Sequence, residues 1–280
     1  DGHEHKWVPT VTDKSGRELV AGADYDVTYG TDDFTNVTGT ITVTITGKGN
    51  YTGTVTRTYQ ITPAAVTLSS NSREFTYTGE PQGDATVSVS GAAELFKSQV
   101  NDLEATGRVT TVAEGKVANP ISYSWKDGFT ASNFSIETSF GQLSIKAKDI
   151  TPTDENGMSV DAPADVTYNG NDQTWTLTVK DDDKTLVAGT DYAVSYSTED
   201  RTNVTGLITV TIKGLGNYTG EVTRTYQVNP KGYSVATQSD SKVYDGKALT
   251  ASGEVKGLVN AADATFAVTG SQTEVGTSDN

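Results

Sequence analysis

Strict two-residue alternation marks the clearest segments of the chain. Thr40 to Thr46 reads Thr-Ile-Thr-Val-Thr-Ile-Thr, and Thr54 to Ile61 reads Thr-Val-Thr-Arg-Thr-Tyr-Gln-Ile. A period of two puts apolar side chains on one face and hydroxyls on the other, which predicts half-buried β-strands. Gly47-Lys48-Gly49-Asn50 lies between these segments and supplies a tight connection, so the two strands are predicted to form a hairpin. Asp13-Lys14-Ser15-Gly16 and Asp181-Asp182-Asp183-Lys184 read as similar earlier turns. Ala92 to Asp102 is the one stretch able to carry a helical turn.

The same pattern recurs at an offset of 167 residues. Leu19 to Pro63 repeats as Leu186 to Pro230, with 33 identities over 45 aligned positions, among them Gly-Asn-Tyr-Thr-Gly at 49 to 53 and at 216 to 220. Two segments this similar share one fold. Asn133-Phe134 falls about midway between Asn50-Tyr51 and Asn217-Tyr218, so the structural period is half the sequence period. Tyr-x-Gly opens a unit at Tyr77, Tyr168 and Tyr244, while Asp1-Gly2 aligns with Asn169-Gly170 and Trp7 with Trp175. The units alternate as A-B-A-B: 1 to 63, an A-type repeat lacking its first strand; 64 to 148, a B-type repeat; 149 to 230, a complete A-type repeat; and 231 to 280, a B-type repeat cut short. Six or seven short strands in roughly 84 residues predict an all-β chain of serial immunoglobulin-like antiparallel β-sandwich domains. The structural rival is a small β-grasp-like unit, which would show at Ala92 to Asp102. Pro63 and Pro230 end the two A units and predict short, stiff joints.

Composition narrows the chemistry. With 21 Lys+Arg against 36 Asp+Glu the net charge is 21 − 36 = −15, a balance that repels nucleic acid and anionic lipid. Cysteine is absent, which removes disulfides, thiolate nucleophiles and thiolate metal sites. There are 46 Thr and 29 Val, a strand-forming bias that leaves little room for helix. No apolar run approaches the roughly 18 residues of a membrane helix. The chain opens on Asp1 and its only methionine is Met158, so it reads as an excerpt that has lost any signal peptide or membrane anchor it had.

Tyr-Asp-Gly at 244 to 246, Val-Thr-Gly-Ser-Gln-Thr-Glu-Val-Gly at 268 to 276 and Gly-Lys-Gly-Asn-Tyr-Thr-Gly-Thr-Val-Thr at 47 to 56 resemble the YDG and MBG-type ("mostly β, glycine-rich") repeats and related bacterial immunoglobulin-like repeats. These occur in very large surface proteins, mostly of Gram-positive bacteria. The resemblance covers all four units. It implies an extracellular protein at the bacterial cell surface or cell wall, whose non-enzymatic repeats form a stalk that projects an adhesive region. The alternative it leaves open is that the repeats are themselves the adhesin, binding a host glycan or protein. It carries over no catalytic residues, the expected partners are neighbouring repeats in the same chain, and the residues themselves lead to an expectation of no cofactor and no metal.

Gly47-x-Gly49-x-x-x-Gly53 and Gly214-x-Gly216-x-x-x-Gly220 lack the helix N-terminus that a phosphate loop needs, because a Thr/Val strand follows. His3-Glu4-His5 could share a metal on one strand face, but no third ligand accompanies it, and the second copy has Asn171-Asp172-Gln173 there. Asp32-Asp33 and Asp181-Asp182-Asp183 lack the spaced calcium-loop pattern. Arg57 and Arg224 fall on the apolar face of the last A strand, and Asp24 and Asp191 are their expected ion-pair partners. Lys146, Lys148 and Lys242 are candidates for an intramolecular isopeptide staple, without a unique partner. Asn36, Asn50, Asn133, Asn203 and Asn217 head Asn-x-Ser/Thr sequences and read as turn formers. Trp125, Trp175, Tyr123 and Phe129 would serve a glycan site if exposed; otherwise they are core.

Overall fold

The computed structural model describes residues 1–279. Among the described residues the chain is all-β apart from one α-helix, Ala93–Gln99, and three single 3-10 turns. It divides into two compact units, Asp1–Lys146 and Ala147–Asn280. Lys148 and Asp149 fall in the second because they pair in parallel with Tyr218 and Thr219.

In the first unit the predicted hairpin is present. Thr40–Gly47 pairs antiparallel with Thr54–Gln60, and Tyr25–Tyr29 lies on its other edge. Alternation buries Ile41 and Val43 while the intervening threonines face water. Gly47 is needed at the base of the connection, where a Cβ would stand 2.9 Å from the Thr52 nitrogen.

Residues 64–146 are built around Ala64–Ser70, which pairs antiparallel with Val87–Gly91 and in parallel with Phe134–Ser139. Gly141–Lys146 lies between Arg73–Thr76 and Val117–Asn119 in a second sheet, and Val100–Ala105 pairs with Ile121–Trp125. The helix occupies the stretch that sequence had singled out. At seven residues it is too short to hold itself in water. It is held by Phe96, which is fully buried among Val66, Leu68, Val100 and Phe134. Asn119 is fully buried too, and both ends of its amide are satisfied. Its Oδ1 accepts from Gly107 N at 3.0 Å, and its Nδ2 donates to Asn71 O at 3.2 Å and Asp84 O at 2.9 Å.

In the second unit the A-type fold appears with its covering strands. Leu207–Gly214 lies between Tyr192–Tyr196 and Glu221–Asn229, and Val166–Thr167 pairs in parallel on the outer edge of Glu221–Asn229. A further sheet joins Met158–Val160, Val179–Asp181 and Lys184–Thr185. Ile208, Val210, Tyr226 and Val228 form the core, with Val166, Tyr168, Trp175, Val194 and Tyr196 packed against it. Beyond Pro230 one hairpin forms, Ser234–Thr237 with Gly253–Lys256. Among the described residues of that last stretch none is buried.

Candidate functional site

The two A copies reproduce one hydrogen-bond framework. Tyr29 Oη donates to Trp7 O at 2.8 Å and Tyr196 Oη to Trp175 O at 2.9 Å. Tyr59 Oη donates to His5 O at 3.0 Å and Tyr226 Oη to Gln173 O at 2.9 Å. Burial raises the Tyr29, Tyr196 and Tyr226 hydroxyls above the ordinary phenol range. These tyrosines are anchors between a strand and the segment preceding it.

The expected ion pair between Arg57 or Arg224 and Asp24 or Asp191 is not what these groups make. Asp24 Oδ2 accepts from Val20 N and Asp191 Oδ2 from Val187 N, each at 2.9 Å. A short acidic side chain in a turn meets a backbone donor four residues away more readily than a cation across the sheet. Arg224 extends past the core to the carbonyls of Asp161 and Val160, at 3.3 and 3.4 Å, and Arg57 bonds Thr56 O at 2.9 Å.

The other candidates separate in the same way. His5 Nε2 lies 2.8 Å from Asp1 Oδ1 on the surface. Among the described residues no three His, Asp or Glu side chains converge as a metal cage. Asp181 takes Lys148 Nζ at 2.5 Å and Tyr218 Oη at 3.1 Å, a largely buried, non-covalent pair. Lys242 pairs with Asp245 at 2.9 Å, and the Lys146 carbonyl accepts from Tyr77 N. Trp125 and Tyr123 pack edge-to-face on Phe96, and Trp125 stacks on Phe134; Trp175 packs on the second core. Of the four aromatic candidates only Phe129 is exposed.

What the structure brings together, and the spacing did not reveal, is a joint between residues 1–63 and 64–146. Asp33 Oδ1 accepts from Thr35 N and Asn36 N, and its Oδ2 accepts from Asn36 Nδ2 at 2.9 Å. These bonds hold the Asp33 carboxyl below its ordinary range, the Asn36 backbone first among them. They also fix the Asn36 amide so that its Oδ1 accepts from Asn133 Nδ2 at 2.7 Å, while Asn133 Oδ1 accepts from Val37 N at 2.9 Å. Two sequon asparagines, 97 residues apart, thus clasp the two halves. In the second copy Asp200 orients Asn203 by the same three-part pattern.

A second arrangement also escaped the sequence. Lys6 Nζ stands 4.8 Å over the Tyr29 ring, and Arg201 stands 4.8 Å over the matching Tyr196 ring. Arg201 aligns with Phe34, so each copy supplies the cation from a different place. Paired differences between the copies were the available signal. No family model matches the chain, and comparison with curated proteins finds no match.

Proposed function

We propose that the chain is a serial stalk: non-enzymatic repeats of an exported bacterial cell-surface protein, similar to YDG and MBG-type repeats, that hold an adhesive region away from the cell wall. The observation that carries this reading is the Asn36–Asn133 clasp, which ties the segments on either side of Pro63 by two hydrogen bonds in addition to the covalent link. A spacer needs joints that resist bending, whereas a ligand site needs a constellation on one unit. The repeated tyrosine anchors support the same reading, since the same hydroxyl-to-carbonyl bonds recur in each A unit.

For the units themselves we propose two plans. The A copies are small immunoglobulin-like sandwiches, supported by the two separate sheets of residues 158–229. Residues 64–146 take the grasp-like alternative, supported by the helix that follows the Ala64–Ser70 and Val87–Gly91 pair and by the parallel return of Phe134–Ser139.

Residual dipolar couplings across residues 1–146 test the stalk. A single alignment tensor for both halves is expected, splitting into two when Asn133→Ala removes the clasp. Two independent tensors in the unaltered chain would remove the support for a stiff stalk. The adhesin alternative is separated by an array of mucin glycans and secreted host proteins. Dose-dependent binding lost on substituting the exposed Phe129 would make the repeats the adhesin; Trp125→Ala and Trp175→Ala are unsuitable controls because both rings are packed in cores.

A further inference from the structure

An asparagine followed by glycine is open to loss of its side-chain amide, because glycine has no Cβ to keep its backbone nitrogen from closing on the asparagine Cγ. The chain holds two such pairs, Asn156-Gly157 and Asn169-Gly170. The structure treats them oppositely. Asn156 is half-buried and held at both ends of its amide: Oδ1 accepts from Thr153 N and Met158 N, each at 3.0 Å, and Nδ2 donates to Thr151 O at 2.8 Å. Its glycine is fixed as well, since Asp182 N donates to Gly157 O at 2.8 Å and a Cβ on Gly157 would collide with the Asp182 carboxylate. Ring closure there requires the turn to break.

Asn169 and Gly170 are both exposed. Asn169 Oδ1 accepts from Asn171 N at 2.9 Å and from Gln173 Nε2, while its Nδ2 makes no hydrogen bond among the described residues. The acceptor is a device of the Tyr-x-Gly turn. Thr78 Oγ1 accepts from Glu80 N at 3.3 Å, and Asp245 Oδ1 accepts from Lys247 N at 3.0 Å. Of these three turns only the one at 169 builds its acceptor from an amide, and the aspartate at 245 shows that the turn also takes the acid.

We propose that Asn169-Gly170 is a self-modification site, at which the chain converts its own amide to aspartate and isoaspartate, while Asn156-Gly157 is locked. The Gly170 nitrogen gives its proton to solvent hydroxide and attacks Asn169 Cγ; the Cγ–Nδ2 bond breaks and ammonia leaves, giving a succinimide. Water then opens either carbonyl, so the net exchange is one water in and one ammonia out. As negative charge develops on Oδ1, the two donors already aimed at it stabilise that charge, and the unbonded Nδ2 is the leaving group. The product bears on its surroundings. A Cβ on Gly170 would stand 2.8 Å from Val259 Cγ1, so the turn backs onto Val259, and Tyr168 N on its other side donates to Asn229 O at 2.9 Å. Isoaspartate inserts a methylene into the main chain between these two anchors, whereas aspartate adds a charge and leaves the chain path unchanged.

The test incubates the full chain at neutral and mildly alkaline pH, folded and in urea, and maps both sites by peptide mass spectrometry, with an isoaspartyl methyltransferase to mark isoaspartate. In the folded chain the acid forms are expected to accumulate at residue 169, faster as pH rises because the nucleophile is the deprotonated Gly170 nitrogen, while Asn156 keeps its amide. In urea both sites are expected to react. Gln173→Ala keeps the backbone bonds of that residue, from its N to Arg201 O and from Tyr226 Oη to its O, and removes one donor from Asn169 Oδ1. It is expected to slow the folded-state reaction about fivefold and to leave the rate in urea unchanged. An Asn169 that keeps its amide in the folded chain, or an Asn156 that reacts there as fast, overturns the proposal. A folded-state rate that Gln173→Ala leaves unchanged overturns the part given to the donors.

Discussion

Asp13 shows how much of this chain's local order comes from one acceptor in a turn. Its carboxylate accepts from Ser15 N, Ser15 Oγ and Arg17 N, with the Arg17 guanidinium alongside, and these bonds hold its pKa at about 2, the Ser15 hydroxyl first among them. The folded value lies below the ordinary one, so the turn's contribution to stability is fully present above the usual carboxylate range and is lost as pH falls through about 2. Carboxyl chemical shifts followed against pH are expected to give that midpoint, and Ser15→Ala to raise it toward the ordinary value. The residue types of such turns were legible because Asp, Ser and Gly carry their own local bonding preferences. The partners of Arg57 and Arg224 were not. Alternation fixes which face a side chain takes but not whether a carbonyl or a carboxylate waits there.

At the scale of elements, the hairpins followed from period and turn chemistry, while the helix depended on one residue. Ala93–Gln99 lacks a side-chain N-cap bond, and its position is set by Phe96 against Tyr123, Trp125 and Phe134. Phe96→Ala is expected to destabilise the first unit by about 3–5 kcal/mol through lost burial and the cavity left behind. Denaturant unfolding of the first unit checks this, and a loss under about 1 kcal/mol would show that the helix does not depend on that ring. Sequence marked this stretch as able to turn helical without stating what would hold it. The clasp between Asn36 and Asn133 was equally hidden, since each asparagine alone reads as a turn former. Only the approach of two segments 97 residues apart gives the amides each other.

Across the whole molecule the same repeat stands in different states of enclosure. The complete A copy buries the apolar face of Glu221–Asn229, the first copy leaves Val55 exposed, and none of the described residues after Pro230 is fully buried. Stability should follow enclosure. Limited proteolysis is therefore expected to cut first after residue 230 and last within 186–229; early cuts inside Leu207–Gly214 would contradict that order. By itself the sequence determined the all-β character, the two A copies and the hairpin at their centre, because these rest on short-range alternation, turn residues and direct repetition. The tertiary structure decided where each arginine reaches and which asparagines join across the Pro63 junction, because those outcomes depend on contacts between segments far apart in the chain, which short-range pattern does not encode.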